Sequence, residues 1–288
     1  MSDAAQTGAE VRPRKRTPRV AEVVRSARVT PHMIRVVLGG EGLAGFPAGA
    51  FTDQYVKLLF PPPGAPYAAP FDVEQVRAEL SAELWPATRT YTVRAWDPAT
   101  GELTLDFVWH GDEGLAGPWA AAAQPGDRIQ LMGPGGGYAP HPAADWHLLA
   151  GDEAALPAIG ATLARLPAGA RALVFAEVAG AEEEQGELVA RNGIELTWVH
   201  RGDASPGEAL VAAVRAVELP AGTGHVFVHG EAAAVRELRR HLRAACGLAP
   251  EFTSISGYWR RGDTDEGWRA AKREWNAAIE AEETAVAG

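Results

Sequence analysis

The sequence predicts an antiparallel β-barrel followed by an open α/β domain with a parallel sheet. In the first half, short β-rich segments are separated by turn residues, which is typical of a barrel or sandwich. From residue 146 onward, short apolar strands alternate with helical segments, which indicates a parallel sheet with crossover helices. The length of 288 residues is enough for two hydrophobic cores.

Six segments of the first half favour an extended backbone. They are residues 19–24, 33–38, 54–60, 89–94, 103–109 and 128–132. Three prolines end the third segment, and a helical stretch over 73–84 precedes the fourth. We therefore expect a barrel domain over residues 20–143.

The second half alternates between strands and helices. The predicted strands are residues 146–151, 172–178, 194–199 and 225–230, and the predicted helices are 155–166, 182–191, 206–217 and 231–245. Asp152 is expected to cap the first of these helices. Ser205 is expected to cap the third, with Pro206 at its first position and Glu208 completing a capping box. These elements predict an α/β domain over residues 144–262.

Both ends of the chain are predicted to lie outside the two domains. Residues 1–19 contain the basic run RPRKR and are expected to form a flexible tail. Residues 263–288 are expected to form a charged helix and a frayed end. Trp268 and Trp275 lie seven residues apart, on one side of this helix, so we expect it to dock on the body of the protein.

Composition excludes several classes of function. The formal net charge of −10 argues against a general nucleic-acid binder. No apolar run is long enough to span a membrane and no signal segment is evident, so the cytoplasm is the expected compartment. The single cysteine, Cys246, rules out an intrachain disulfide and any iron–sulfur cluster that needs several thiolates of this chain.

One predicted strand combines three side-chain chemistries. Residues 89–94 read RTYTVR, and alternation places Arg89 and Tyr91 on one face and Thr92 on the other. A cation, an aromatic ring and a hydroxyl can hold a phosphate, cover a flat heterocycle and hydrogen-bond its polar edge. The alternative is an edge strand with two solvated arginines, Arg89 and Arg94.

Glycines follow the next predicted strand. Gly111, Gly114 and Gly117 precede a helix expected to start near Pro118. Glycines let a phosphate approach backbone N–H groups closely, and the dipole of a helix would add to the attraction. An ordinary glycine-rich turn is the alternative interpretation.

Two further glycine-containing segments bear on nucleotide binding. Residues 133–137 (GPGGG) lack the Gly-x-Gly-x-x-Gly spacing and precede the first α/β strand, so we interpret them as a domain junction. The strand-to-helix turn at residues 151–158 (GDEAALPA) is the better nucleotide candidate. Its alternative is a plain capped helix.

Seven short motifs occur in order along the chain. They are residues 32–36 (HMIRV), 53–58 (DQYVKL), 89–94 (RTYTVR), 106–111 (DFVWHG), 150–153 (AGDE), 156–159 (LPAI) and 257–262 (GYWRRG). This ordered set resembles the siderophore-interacting proteins, FAD-containing ferric-siderophore reductases of the ferredoxin-reductase-like superfamily. The resemblance extends from about residue 20 to residue 262.

The resemblance implies cofactor contacts but no catalytic acid, base or protein-bound metal. Arg89 would neutralise the FAD pyrophosphate, Tyr91 would lie near the isoalloxazine or ribityl chain, and Thr92 would hydrogen-bond near flavin N5. His110 would belong to the phosphate and adenosine side, and Trp259 to the aromatic motif near the ring. The full set of implied cofactor-binding residues is Arg89, Tyr91, Thr92, Asp106, Val108, His110, Gly114, Ala116, Gly117, Trp119, Asp152 and Trp259.

Two positions depart from the pattern that the family usually shows. Gly117 stands in place of a phosphate-binding serine, so either a backbone N–H replaces the hydroxyl or FAD binds more weakly. Ala154 stands in place of a threonine, which removes a hydroxyl near the expected nicotinamide path. The second departure puts the use of NADH or NADPH in question.

Three cations are the candidate substrate-binding residues. Lys57, Arg260 and Arg261 could form a basic rim that attracts an anionic ferric siderophore to a protein of net charge −10. The alternative is that these cations pair with acids such as Asp53, Asp263 and Asp265.

The resemblance implies FAD-dependent reduction of Fe(III) in a siderophore, with release of Fe(II) and electrons from NADH, NADPH or a ferredoxin. A ferric siderophore is the expected partner, with no nucleic acid and no membrane insertion. Two alternatives stay open: a general NAD(P)H:flavin or ferredoxin oxidoreductase, and a non-enzymatic siderophore carrier. The Cys-Gly pair that such oxidoreductases often have after a late strand is here His229-Gly230, which weakens the first alternative.

Overall fold

Six antiparallel strands close into a barrel in the computed structural model, which describes residues 18–287. They are β1 (Arg19–Thr30), β2 (Met33–Gly39), β3 (Tyr55–Phe60), β4 (Ala87–Asp97), β5 (Glu102–Val108) and β6 (Arg128–Gly135). Their order around the barrel is β1-β2-β5-β4-β3-β6. The helices α1 (Val73–Glu79) and α2 (Ala116–Ala122) lie in its connections. The basic run predicted as a tail lies outside the described residues.

The barrel encloses its own hydrophobic core. Val36, Leu58, Leu105, Phe107 and Leu131 are all completely buried there. Their strands alternate inward apolar residues with outward ones, as the period of two requires. This closed core confirms the barrel prediction for the first half of the chain.

Five parallel strands form the second half. They are β7 (Trp146–Gly151), β8 (Ala172–Val178), β9 (Ile194–His200), β10 (Gly224–Glu231) and β11 (Thr253–Trp259), in the order β11-β10-β7-β8-β9. The helices are α3 (Leu156–Arg165), α4 (Glu208–Ala216), α5 (Ala232–Arg240) and α6 (Asp265–Ala287). The α/β prediction is confirmed, although β11 was expected only as a motif. The predicted domain boundaries stay a prediction.

The helix predicted over residues 182–191 is wrong. Only a 3₁₀ turn forms, at Ala181–Glu183, and the chain then runs irregularly. Two acids of this segment point to the barrel. Glu183 accepts hydrogen bonds from Thr30 Oγ1 at 2.5 Å and from His32 N at 3.2 Å, and Glu187 pairs with Arg35 at 2.6 Å. Contacts with the barrel have overridden the local helical preference.

The capping box predicted for α4 is also wrong. The helix begins at Glu208 after Gly207, whose φ of 87° lies in the left-handed region, and no side chain of this turn caps it. The buried carboxylate of Glu177, at the end of β8, instead accepts from Gly207 N at 2.7 Å and from Leu210 N at 2.9 Å. Ser205 is used elsewhere and accepts a hydrogen bond from Arg261. An acid distant in sequence thus satisfies the helix N-terminus.

Helix α6 docks on the protein as its two tryptophans predicted. Trp268 is 4% exposed, and its ring lies 5.3 Å from that of Trp275. Gly257 in β11 makes room for it, since a Cβ there would lie 2.9 Å from Trp268 Cζ2. The far end of the helix is tied to α5 by the ion pair between Arg239 and Glu283 at 2.6 Å.

Candidate functional site

Strand β4 connects the barrel to the sheet through its RTYTVR stretch. Tyr91 packs on Phe107 of the barrel core, with ring centroids 4.1 Å apart. Thr92 is buried, and its side chain lies close enough to the Tyr258 hydroxyl in β11 to lower the pKa of that phenol against the larger effect of burial. Burial raises the pKa of Tyr91 and of Tyr258 well above the ordinary value, so both phenols are neutral. The polar end of β4 therefore meets the aromatic end of β11.

The guanidinium of Arg89 contacts the start of α6. Its Nη2 donates to Glu266 Oε2 at 3.3 Å, and its Nη1 lies against Glu266 Oε1 and 3.5 Å from Asp265 Oδ2. Nη1 also donates to the carbonyl oxygen of Thr88 at 3.0 Å. Arg89 is thus an ion-paired cation, not the solvated arginine of the alternative interpretation. Its contact with a pyrophosphate stays a prediction.

The glycine-rich turn after β5 leaves open space. Gly111 and Gly114 have φ values of 72° and 79°, in the region that favours glycine. A Cβ at either position would meet nothing within 4 Å. His110 beside them is exposed. An anion could therefore reach the backbone N–H groups of this turn without a steric obstacle.

Helix α2 follows this turn and begins at Ala116, two residues before the expected Pro118. Ala116 is buried, and Trp119 packs on the barrel core at 5.6 Å from Phe107. A Cβ at Gly117 would lie only 3.2 Å from the carbonyl oxygen of Val108. A serine there would have to displace the end of β5 slightly, which gives a physical reason for the glycine.

The side chain of Asp106 is already hydrogen-bonded within the barrel wall. Its side chain is fully buried and accepts hydrogen bonds from Arg35 Nε at 2.6 Å and from Arg35 Nη2 at 2.7 Å. The same guanidinium binds Glu187, and its hydrogen bonds hold the pKa of Glu187 at about 2. Any cofactor contact of Asp106 would have to share oxygens that already accept from Arg35, so its cofactor role stays a prediction.

Asp152 joins three strands at the carboxyl edge of the sheet. It follows β7, and its Oδ2 accepts from Glu231 N at the end of β10 and from Trp259 Nε1 at the end of β11, both at 2.7 Å. Its Oδ1 accepts from Ala154 N at 3.0 Å, whereas α3 starts later, without a side-chain cap. The predicted helix cap is thus wrong, and the carboxylate positions the indole of Trp259. A direct cofactor contact of Asp152 or Trp259 stays a prediction.

The surroundings of Asp152 fit this positioning role. Gly230 is required beside it, because a Cβ there would lie 2.6 Å from Asp152 Oδ2. Burial, and then the charge of Glu153, raises the pKa of Asp152 to about 7. Glu153 itself pairs with Arg201 at 2.7 Å, and Arg201 also lies 3.5 Å from Glu177.

The three candidate substrate cations do not pair with acids. Within residues 18–287, Lys57, Arg260 and Arg261 form no ion pair, and Arg261 donates instead to Ser205 Oγ at 2.6 Å. Lys57 lies opposite Thr90 in the β3–β4 ladder, so it shares a face with Thr90 and Thr92. The acid pairing of the alternative interpretation is therefore absent from the described part of the chain. Their substrate role stays a prediction.

Several site residues were missed because their partners are distant in sequence. Tyr258 belongs to the motif at residues 257–262, and its contact with Thr92 crosses from one half of the chain to the other. Asp265 and Glu266 looked like ordinary acids at a helix N-terminus. Glu183 was assigned to a helix that does not form. Among these residues, the two acids at the start of α6 were recognisable from the sequence as part of a helix N-terminus.

The donor set of this region fits FAD. A pyrophosphate requires a cation and N–H donors, and the flavin edge requires a hydrogen-bonding partner. Arg89, the open turn at Gly111 and Gly114, and the hydroxyl of Thr92 provide these groups. The donors of Arg89 are shared with the acids of α6.

Other kinds of site find no support in the described residues. Between residues 18 and 287, no three His, Cys, Asp or Glu side chains come together in a group that could hold a metal ion. No helix in that range has the length and hydropathy that a membrane span requires. Burial lowers the pKa of His225 to about 4 and that of His229 to about 3, so both rings are neutral near pH 7.

Two family models match the chain one after the other. The siderophore-interacting FAD-binding domain matches residues 22–138, which include most of β1 and all of β2 to β6. The model described as siderophore-interacting protein matches residues 144–262, which include β7 to β11. Each half of the fold therefore has its own match.

Whole-chain relatives agree with these matches. Ferric vibriobactin reductase ViuB of Vibrio cholerae serotype O1 is 33% identical over 253 residues, covering 87% of this chain and 92% of ViuB. The NADPH-dependent ferric-chelate reductase of Escherichia coli K12 is 31% identical over 244 residues, covering 82% and 91%.

A solved structure extends the agreement to the fold. The crystal structure of a siderophore utilization protein from T. fusca aligns with a TM-score of 0.74 at 41% identity, covering 86% of this chain and 95% of that one. Because both halves match in order and most of the chain aligns with such proteins, this protein belongs to the siderophore-interacting protein family.

Proposed function

We propose that this protein uses FAD to reduce Fe(III) held by a siderophore and so releases Fe(II). Both family models support the proposal, as do the two relatives that are named ferric reductases. At the level of residues, the close approach of the Thr92 side chain to the Tyr258 hydroxyl carries it. This approach brings the RTYTVR strand of the barrel next to the aromatic motif of β11.

The residues of the candidate site would hold the cofactor by complementary chemistry. Arg89 would bind the pyrophosphate with its planar guanidinium, and the N–H groups around Gly111 and Gly114 would bind phosphate oxygens. The hydroxyl of Thr92 would hydrogen-bond the flavin edge. Trp259, held by Asp152, would keep water from the ring. When bound, FAD supplies the redox chemistry by accepting a hydride and passing on single electrons.

The electrons of the proposed reaction balance without a catalytic acid or base. One hydride carries two electrons, so it reduces two ferric chelates by one electron each. Fe(II) binds the hard oxygen donors of a siderophore less tightly than Fe(III) does, so reduction loosens the iron. The expectation of no catalytic residue beyond the groups that bind and orient stays a prediction.

The substrate would be an anionic ferric chelate. Lys57 and Arg260 form no ion pair in the described residues, and Arg261 keeps its charge while it bonds to Ser205. In a protein of net charge −10, such cations would concentrate an anionic chelate near the flavin.

The electron donor is proposed to be NADH, NADPH or a ferredoxin. The relative from E. coli is named NADPH-dependent, which favours a nicotinamide donor. Ala154, which lacks the hydroxyl usual in the family, keeps a ferredoxin open as the alternative. The cytoplasm is the proposed compartment, because it supplies these donors.

The proposal is tested with the purified protein. Its visible spectrum is recorded before and after addition of FAD, and NADH, NADPH or reduced ferredoxin is then mixed with a ferric siderophore and a ferrous trap. We expect flavin absorbance and trapped Fe(II) with at least one donor. A protein that shows no bound flavin after FAD addition would contradict the proposal.

The same experiment separates the two alternatives. Flavin reduction without any increase in trapped Fe(II) would indicate a general oxidoreductase. A colourless protein that binds the ferric chelate would indicate a carrier.

A further inference from the structure

Two acids in the first turn of α6, Asp265 and Glu266, pair with Arg89, which is the cation that the proposed flavin site needs. Arg89 has 20% of its side chain exposed and contacts both carboxylates of that turn. The side chains of Glu266 and Asp265 are 55% and 36% exposed, so both carboxylates can rotate into solvent. A pyrophosphate bound to Arg89 would need the same N–H donors and would meet two negative charges beside it.

We propose that Glu266, assisted by Asp265, competes with the FAD pyrophosphate for Arg89 and thereby sets the affinity of the site for FAD. The inference rests on the proposed function, because it takes Arg89 as the pyrophosphate ligand. Glu266 and Asp265 are then affinity-determining residues that do not touch the reacting atoms.

The competition requires only side-chain movement, because α6 itself is firmly held. Trp268 and Ile279 on this helix are 4% and 3% exposed, and Trp275 packs against the core that includes Val235 and Leu238 of α5. A shift of the whole helix would open this apolar contact, whereas rotation of an exposed glutamate costs little. Binding of FAD would therefore release carboxylates and leave the helix docked.

Glu266 should be the stronger competitor of the two. Asp265 also binds Arg269, whose Nη2 donates to the carbonyl oxygen of Thr88 at 2.6 Å, so Asp265 keeps a cation when Arg89 turns away. In the described part of the chain, Glu266 hydrogen-bonds to no cation other than Arg89. Once displaced from Arg89, Glu266 would keep only the more distant charge of Arg269, with no hydrogen-bonded cation.

The experiment must distinguish this competition from a simpler role of Asp265 and Glu266, which is to stabilise the N-terminus of α6. Acids in the first turn of a helix stabilise it through the helix dipole. Thr264 already caps this helix, since its Oγ1 accepts from Gly267 N at 3.0 Å and its carbonyl oxygen accepts from Trp268 N at 2.8 Å. A purely helix-stabilising role would change the melting temperature but leave the affinity for FAD unaltered.

The test is a titration of the flavin-free full-length protein with FAD, followed by flavin fluorescence. We expect Glu266→Gln to tighten FAD binding about two- to fivefold, the range of an exposed ion pair, and Asp265→Asn to tighten it less. Glu282→Gln is the matched control, because Glu282 lies on the same helix, is 51% exposed and pairs with Arg236. The control should leave the dissociation constant for FAD unchanged, and added salt should reduce the gain of Glu266→Gln.

A second pair of variants ties the effect to Arg89. In an Arg89→Ala background, Glu266→Gln should lose most of its effect, because the contested guanidinium is gone. If Glu266→Gln leaves FAD affinity unchanged or weakens it while its melting temperature is retained, the competition is refuted. If Arg89→Ala itself does not weaken FAD binding, the proposed pyrophosphate role of Arg89 fails instead. A wild-type protein that binds no FAD would refute the proposed function.

Discussion

At the scale of single residues, Asp152 holds the carboxyl edge of the sheet together. One buried carboxylate accepts hydrogen bonds from Trp259 Nε1, Glu231 N and Ala154 N. The sequence indicated that this aspartate matters, since it follows a strand in the motif AGDE. It could not indicate the partners, because two of the three lie about 80 to 110 residues further along the chain.

Asp152→Ala should lower the free energy of unfolding by about 3 kcal/mol, because each buried donor that loses its acceptor costs about 1–3 kcal/mol. Asp152→Asn should cost only about 1 kcal/mol, since an amide oxygen can still accept from Trp259 and Glu231. Urea denaturation of both variants measures the difference. Equal losses would contradict the hydrogen-bonding role.

His225 should make stability depend on pH. Burial, with the nearby His147 and His141, lowers its pKa in the folded protein from 6.5 to about 4. Between these values the unfolded chain binds a proton that the folded protein does not, so stability falls as the pH falls from about 6.5 towards 4. Urea midpoints at pH 7.5 and pH 5 should differ less in His225→Gln than in the wild type.

The matched control for His225 is His200→Gln. His200 is 41% exposed, so its substitution should leave the acid-induced loss of stability largely in place. An unaltered loss in His225→Gln would show that other groups control this transition.

At the scale of elements, helix α6 owes its place to packing. Charged residues cover much of its surface, but Trp268 and Trp275 provide the apolar side that the sequence predicted. The sequence could not show that its first turn would reach Arg89, which lies 176 and 177 residues earlier. That contact depends on how β11 directs the chain back towards the barrel.

Trp268→Ala should destabilise the protein by about 3–5 kcal/mol, because it removes a large buried ring and leaves a cavity over Gly257. Trp268→Phe keeps a ring in the same place and should cost clearly less. Denaturant unfolding measures both variants. A loss below about 1 kcal/mol in Trp268→Ala would mean that the helix contributes little to the folded core.

In residues 182–191, unlike in α6, the sequence pattern predicts a helix that the structure does not form. Their composition favours a helix, yet Glu183 and Glu187 each bind polar groups of the barrel. Both acids reach the barrel from a 3₁₀ turn and the irregular chain that follows it. The tertiary contacts therefore decided the backbone.

At the scale of the whole molecule, the two halves are joined by polar side chains. Glu187 binds Arg35 and Arg94 of the barrel, and Thr162 Oγ1 in α3 donates to Thr52 Oγ1 at 2.8 Å. Arg94, which the sequence left as a solvated arginine, thus belongs to this junction. Because the net charge of the protein is −10, a local cluster of cations near the candidate site would attract an anionic substrate to that place.

Lys57→Glu should raise the apparent KM for an anionic ferric chelate by roughly three- to tenfold at low salt, and less for a neutral chelate. Arg215→Glu is the matched control, because it alters the net charge equally at an exposed position of α4. Ferrous-trap assays with both chelates measure the effect. Equal changes for the two chelates, or for the two variants, would contradict local steering by Lys57.

The sequence by itself determined the two-part architecture, because the spacing of apolar residues is a local property of each segment. It also determined the strand with Arg89, Tyr91 and Thr92 and the glycine-rich turn that follows β5. Only the tertiary structure decided which groups these residues meet. Thr92 meets Tyr258, Asp152 holds Trp259, and Arg89 meets the acids of α6. Such pairs form between segments far apart in the chain, so they depend on barrel closure and sheet order, which no local pattern encodes.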